Sequence, residues 1–192
     1  MAGKLIFVTG GIRSGKSLFA EKITSQLGQR VVYIATSLVE DDEMRVRVEL
    51  HRERRSENWR TVEEALDVAA AITGHGADCD VIMIDCLTVL ISNLMFHHQD
   101  KMEMNRKELQ EEILHQISSL AMAAKEVNAN VVVVSNEVGL SLVSDNYLGR
   151  LFQDVVGLAN QIVAGQADEA YFVAAGYPID LKSGRGWIYD GK

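Results

Sequence analysis

Lys4-Leu5-Ile6-Phe7-Val8-Thr9-Gly10-Gly11-Ile12-Arg13-Ser14-Gly15-Lys16-Ser17 is the stretch that decides the fold. A short apolar, β-prone run breaks at two glycines, and Gly10 through Ser17 satisfies G-x-x-x-x-G-K-[ST] in full. Ser17 to Leu27 then reads as an amphipathic helix stopped by Gly28. Strand, glycine loop and helix in that order form a cradle for phosphate. Glycines let backbone N–H groups turn inward, and the helix N-terminus adds about half a positive charge. In such a cradle Lys16 reaches the β- and γ-phosphates and the Ser17 hydroxyl ligates Mg²⁺. A chance glycine turn with an accidental lysine is the plainer reading, and the placement between strand and helix argues against it.

Further along, Val31–Ala35 reads as a second buried strand, Val62–Ile72 as a helix, and Val81–Asp85 as a third strand. Met102–Val127 is a long helix leading into a strand at Val131–Val134, Asn146–Ala164 another helix, and Ala170–Ala174 a fifth strand. Ile179–Leu181 and Trp187–Tyr189 suggest a closing hairpin across Ser183-Gly184. Continuous apolar strands alternating with helices imply an α/β domain, residues 1–192, with a mostly parallel sheet covered on both faces and a short C-terminal antiparallel hairpin. Asp85, expected at the end of a strand next to the first, is the natural partner of the loop because its carboxylate can hold a metal's water shell; capping of a helix at Thr88 is its alternative use. Together the two features favour a nucleotide-dependent phosphoryl-transfer enzyme.

The segment from Asp41 to Arg55 carries five arginines within eleven residues, Arg45, Arg47, Arg52, Arg54 and Arg55. At helical spacing Arg47, His51 and Arg55 share one face. Neighbouring cations keep an imidazole neutral and nucleophilic, and the same cations neutralise charge on a phosphorus under attack. His51 is therefore a candidate covalent nucleophile. A solvated, salt-bridged helix, with Glu43 paired to Arg47, is the competing reading. His75 in a Gly-His-Gly loop, His97, His98 and His115 lack metal-ligand spacing and receive no role.

The whole chain has 192 residues, 27 acidic against 19 basic, and a net charge of −8, which opposes a broad footprint for nucleic acid or anionic membrane. Any anion must be held locally. Cys79 and Cys86 show neither disulfide-framework nor zinc spacing, so a reducing cytoplasm is expected. No stretch approaches the roughly 18 apolar residues of a membrane helix, and no leader pattern is seen.

The ordered motifs resemble those of the bifunctional adenosylcobinamide kinase / adenosylcobinamide-phosphate guanylyltransferases of cobalamin synthesis. The likeness runs through Thr9–Ser17, Tyr33-Ile34-Ala35-Thr36-Ser37, Asp41–Met44 leading to His51, and Trp59-Arg60-Thr61 with Glu63. It continues through Asp85-Cys86-Leu87-Thr88, Asn93-Leu94, Ser135–Gly139, Arg150–Asp154 and Gly157–Gln161. The resemblance implies a RecA-like P-loop domain that assembles as a homotrimer. It implies phosphorylation of adenosylcobinamide by ATP or GTP, then transfer of GMP from GTP to adenosylcobinamide phosphate through His51. Nucleotide contacts implied by the family fall on Gly10, Gly11, Ile12, Arg13, Ser14, Gly15, Lys16, Ser17, Ala35, Thr36, Ser37, Arg52, Glu53, Arg54, Arg55, Glu63 and Asp85, with Mg²⁺ at Ser17 and Asp85.

Three other readings remain open to the residues alone, one of them a pure interaction module that would leave the loop without turnover. A regulatory GTP-binding protein would use the same loop, but the guanine-selecting N/T-K-x-D element does not occur. A P-loop small-molecule kinase without the guanylyl step leaves the arginine and histidine helix unexplained.

Overall fold

The computed structural model describes residues 3–37, 59–99 and 105–183. Its elements run β1 (Leu5–Gly10), α1 (Lys16–Leu27), β2 (Val31–Ala35), β3 (Arg60–Glu63), α2 (Val68–His75), β4 (Val81–Asp85), α3 (Leu87–Gln99), α4 (Arg106–Glu126), β5 (Asn130–Val134), α5 (Tyr147–Gln166), β6 (Glu169–Ala174) and β7 (Tyr177–Asp180). The seven strands lie in the order β3-β2-β4-β5-β1-β6-β7, parallel throughout except for the antiparallel β6–β7 pair. This is the mostly parallel α/β sheet with a short C-terminal antiparallel hairpin that the strand and helix pattern implied.

Alternate residues of the buried strands feed two cores. Leu5, Phe7, Ile82, Ile84, Val131 and Val133 face one side, where α2, α3, α4 and α5 pack. Ile6, Val8, Val81, Met83, Val132 and Val134 face the other, where α1 lies on the sheet through Phe19, Ala20, Ile23 and Leu27. Two-sided burial explains why these strands read as unbroken apolar runs. Phe19 of α1 also meets Tyr171 of β6 edge to face, with ring centroids 5.1 Å apart.

Three expectations are corrected by this topology, and the expected C-terminal antiparallel hairpin is found between β6 and β7. β4 is not the neighbour of β1, because β5 pairs with both and separates them. Asp85 therefore ends a strand two spacings, about 10 Å, from the loop strand. Residues 62–72 are not one helix: Arg60–Glu63 pairs in parallel with β2, and Glu64 breaks the run by accepting from the Leu66 and Asp67 N–H groups before Asp67 caps α2. The hairpin joins β6 to β7 through Ala175 and Gly176, both at positive φ, as a two-residue turn of the primed type requires. Trp187–Tyr189 lies outside the described residues. His75 ends α2 rather than sitting in a loop. The long helix starts at Asn105, whose side chain accepts from the Lys107 and Glu108 N–H groups while Glu108 accepts from Asn105 N–H, a reciprocal cap.

Candidate active site

All strands bearing site residues end at one edge of the sheet. Ala35 pairs with Glu63 on one side and Asp85 on the other, and Asp85 pairs with Val134, which pairs with Val8. A single row thus carries Glu63, Ala35 and Asp85 to the edge from which the Gly10–Ser17 loop rises.

The loop's shape follows from its glycines. A Cβ on Gly10 would stand 2.4 Å from the Val173 carbonyl oxygen and 2.7 Å from Ser14 Oγ, so only hydrogen fits there. Gly15 sits at φ 95°, with Gly176 Cα 3.1 Å from the place a Cβ would take. Arg13, at φ 60°, turns the chain between them. The Ser14 N–H donates to the Gly11 carbonyl at 3.2 Å, and the Phe19 N–H to the Gly15 carbonyl as α1 begins.

Lys16 Nζ donates to the Gly11 carbonyl at 3.2 Å, folding its side chain back over the loop. Burial lowers its pKa from the usual amine value, opposed by Cys86 and Asp85 nearby. The ammonium is thus partly stripped of water and faces the Asp85 end of β4. Among the described residues Ser14 Oγ, beside Gly10 in the loop, is buried with no hydrogen-bond partner, leaving polar capacity at the cradle.

Asp85 is half-buried, and its Oδ2 accepts from the Tyr33 hydroxyl at 2.9 Å. That bond orients the carboxylate along the sheet edge and leaves Oδ1 for another partner. Ser17 offers a second hard oxygen at the start of α1. Two oxygen donors of this kind suit Mg²⁺, which prefers one or two protein oxygens beside phosphate and water.

Thr36 is fully buried, and its side chain is already committed. Its hydroxyl donates to the Cys86 carbonyl at 2.9 Å and accepts from the Cys86 N–H at 2.8 Å, while its N–H donates to the Asp85 carbonyl. Asn93 Nδ2 donates to the Thr36 and Ala65 carbonyls. Thr36 thereby clips the end of β2 to the end of β4, with Ser37 one residue further out. Glu63 is exposed at the end of β3.

The structure therefore gathers Gly10–Ser17, Ala35, Thr36, Ser37, Glu63 and Asp85 at one sheet edge. His51, Arg52, Glu53, Arg54 and Arg55 lie outside the described residues. Sequence reasoning missed the brace on the loop: the Gly176 N–H donates to the Ser14 carbonyl at 2.8 Å. An Ala-Gly turn lacks the Asn-Gly or Asp-Gly signature, so no local signal marks it. Tyr33 was also without a role, since a tyrosine in an apolar strand reads as core.

A buried polar chain supports the same edge. Thr88 Oγ1 lies 3.3 Å from Ser135 Oγ, which donates to Asn160 Oδ1 at 2.6 Å; Asn160 Nδ2 donates to the Asn136 carbonyl, and the Asn136 N–H to Thr88 Oγ1. Each member is matched to another, so the ring of four fixes the end of β5 against α3 and α5. A separate cleft of about 500 Å³ opens between α2, α3 and α4, lined by Asp67, Leu94, His97, Glu112 and His115 among others. It contains no residue of the phosphate loop and lies on the opposite face of the sheet from α1.

Among known proteins, the family described as "Cobinamide kinase / cobinamide phosphate guanyltransferase" matches residues 6–181. The bifunctional adenosylcobalamin biosynthesis protein CobU of Escherichia coli strain K12 is 39% identical over 93% of this chain and 99% of its own length. Its Salmonella typhimurium counterpart is 38% identical over the same shares. The bifunctional adenosylcobalamin biosynthesis protein CobP of Pseudomonas aeruginosa is 34% identical over 91% of this chain and 95% of that protein. A crystal structure of the RadB recombinase aligns at a TM-score of 0.48 and 17% identity, over 89% of this chain and 74% of that one.

Proposed function

We propose, from the premise that this chain belongs to the cobinamide kinase / cobinamide phosphate guanyltransferase family, that it performs both reactions in cobalamin biosynthesis. A nucleoside triphosphate, ATP or GTP, phosphorylates the hydroxyl of adenosylcobinamide. GTP then donates GMP to adenosylcobinamide phosphate, giving adenosylcobinamide-GDP and pyrophosphate. The observation that carries the reading is the complete phosphate loop at the same sheet edge as Asp85, in a chain matched by the family from residue 6 to 181.

Phosphoryl transfer needs positioning and charge neutralisation more than covalent help from the protein. The Gly11–Ser17 amides and Lys16 hold the β- and γ-phosphates, and Arg13 stands at the loop's outer turn. Ser17 and Asp85 are the residues that would hold Mg²⁺, which when bound neutralises charge on the β- and γ-phosphates. Arg52, Arg54 and Arg55, with Glu53 and Glu63, are assigned to the nucleotide by family likeness, as are Ala35 to Ser37.

The guanylyl step runs through His51. Its imidazole nitrogen bonds to the α-phosphorus as the bond to the bridging oxygen of pyrophosphate breaks. The phosphate oxygen of adenosylcobinamide phosphate then takes the GMP and releases the imidazole. The enzyme acts in the cytoplasm as a homotrimer, without a nucleic-acid partner. No helix among the described residues is long and apolar enough to cross a membrane.

The test is to incubate the protein with α-labelled GTP and Mg²⁺, look for acid-labile covalent label, and identify by mass the products formed from adenosylcobinamide. His51→Ala should lose the label and GMP transfer while keeping kinase turnover. A labelled His51→Ala protein would overturn the histidine assignment, and Lys16→Ala with normal guanylylation would overturn the single-cradle reading.

A further inference from the structure

The ladder between β5 and β1 does not stop where the strand does. The N–H groups of Val131, Ser135 and Glu137 donate to the carbonyls of Lys4, Val8 and Gly10. The bonding extends three residues past Val134, to Glu137, at the two-residue period of an extended parallel pair. Side chains keep alternating along such a segment. Ser135 points toward Asn160 of α5, on the four-helix face. Asn136 therefore falls on the opposite face, with Val132 and Val134, where α1 and the phosphate loop lie.

Its place across the sheet is as informative. β5 separates β1, which ends in the loop at Gly10, from β4, which ends in Asp85. Asn136 stands two residues beyond Val134, the register partner of both Val8 and Asp85. It is thus the residue above the gap between the cradle and the carboxylate. Its backbone is clamped from both sides, the N–H by Thr88 Oγ1 at 2.8 Å and the carbonyl by Asn160 Nδ2 at 3.1 Å. Among the described residues its side-chain amide makes no hydrogen bond. Glu137, one residue on, is occupied by the Gly139 N–H at 2.7 Å.

We propose that Asn136 is a catalytic residue of the kinase reaction, its side-chain amide donating to an oxygen of the γ-phosphoryl group as that group is transferred. This rests on the kinase reading above. In the step, the acceptor hydroxyl oxygen bonds to the γ-phosphorus while the bond from that phosphorus to the β–γ bridging oxygen breaks. The nucleoside diphosphate leaves with the electron pair, and the hydroxyl proton passes to solvent. Asn136 neither gains nor loses a proton. It supplies a neutral donor already held in place, so no reorganisation is needed as charge shifts.

The experiment compares Asn136→Ala and Asn136→Asp with the parent protein, measuring phosphorylation of adenosylcobinamide, GMP transfer to preformed adenosylcobinamide phosphate, and thermal stability. Removal of one preorganised donor predicts a fall in kinase kcat of about 100-fold for Asn136→Ala. The KM for nucleotide should stay within about threefold and Tm close to the parent's. Asn136→Asp keeps the shape but faces the triphosphate with a like charge, and should be slower still. GMP transfer breaks the α–β bond, one phosphate away, and should lose less than tenfold. The assignment is overturned if Asn136→Ala keeps kinase kcat within threefold, if Asp proves better tolerated than Ala, or if the loss follows Tm. A parent protein without either activity would instead sink the functional reading, and the assignment with it.

Discussion

The Gly176 N–H donates to the carbonyl of Ser14 at 2.8 Å, so the turn of the C-terminal hairpin braces the phosphate loop. Gly176 holds φ 85° with open space where a Cβ would go. Gly176→Ala therefore isolates backbone strain from steric clash. A left-handed conformation costs an L-residue roughly 1–2 kcal/mol, so the variant should lose about 1 kcal/mol of stability in urea unfolding. Nucleotide affinity should weaken as the brace shifts. Unchanged stability and affinity would show that the turn bears no strain and the loop stands without it.

Asp85 and Tyr33 separate charge from orientation. Tyr33→Phe removes only the hydroxyl that holds Oδ2, and should lower turnover less than tenfold. Asp85→Asn removes the charge while keeping the shape, and loss of a preorganised electrostatic contact predicts a fall of about 100-fold or more in both reactions. Steady-state rates across a Mg²⁺ titration check this. Equal losses in the two variants would mean that Asp85 acts only through its bond to Tyr33.

The residues of the cradle were legible because their requirement is local: glycines, a lysine and a hydroxyl at fixed spacing between strand and helix. The position of Asp85 was legible only as a strand end. Which strand lies beside β1 depends on a pairing between Leu5–Val8 and Val131–Val134, over 120 residues apart, and no periodicity encodes that order. The strand at Arg60–Glu63 was hidden for a similar reason. Its short, largely exposed Arg60–Glu63 run carries no strand pattern, and it exists because β2 offers an edge; the Glu64 N–H makes the last bond to β2 at the Ala35 carbonyl, and its carboxylate then turns the chain by accepting from the Leu66 and Asp67 N–H groups. Ser135 and Asn160 stood out only as family-like letters until the buried polar ring gave them partners, and Asn93 until its amide met the Thr36 and Ala65 carbonyls.

That ring makes a stability prediction. Asn160→Leu fits the volume but removes the partner of the Asn136 carbonyl and leaves Ser135 Oγ with Thr88 Oγ1 alone. Each buried group left without a partner costs about 1–3 kcal/mol. The variant should be destabilised by about 1–3 kcal/mol, read as a lower urea midpoint at unchanged slope. The exposed Ser25→Ala, by comparison, should change stability by no more than about 0.5 kcal/mol. A stable Asn160→Leu protein would mean that water replaces the lost partners.

Asp80 ties down the α1–β2 connection. Its carboxylate accepts from the Gln29 and Arg30 N–H groups and from the Arg30 guanidinium. The bond from the Arg30 side chain, then that from the Arg30 N–H, holds its pKa at about 2, below the ordinary 3.8. A carboxyl with a depressed folded-state pKa contributes stability above its unfolded value, and that contribution is lost as pH falls through the folded one. Parent stability should therefore drop between about pH 4 and pH 2 in part through Asp80. Asp80→Asn should have a lower urea midpoint at pH 6, with the gap closing toward pH 2. A gap that stays constant over this range would assign the difference to packing rather than to the charge.

The two thiols provide a last check on the site's electrostatics. Cys86 is buried, and burial followed by the Asp85 charge raises its pKa to about 11. Burial also raises Cys79 from its ordinary value. Nucleophilic attack needs the thiolate, so both residues should be nearly inert at pH 8. Iodoacetamide at that pH should label neither in the folded protein and both in 6 M guanidinium, counted by intact mass. Asp85→Asn should ease ionisation of Cys86 by removing the neighbouring charge, yet labelling should stay slow because burial remains the larger cause. Rapid labelling of folded Cys86 would place its sulfur in solvent, contradicting its burial in the core on the α1 face of the sheet.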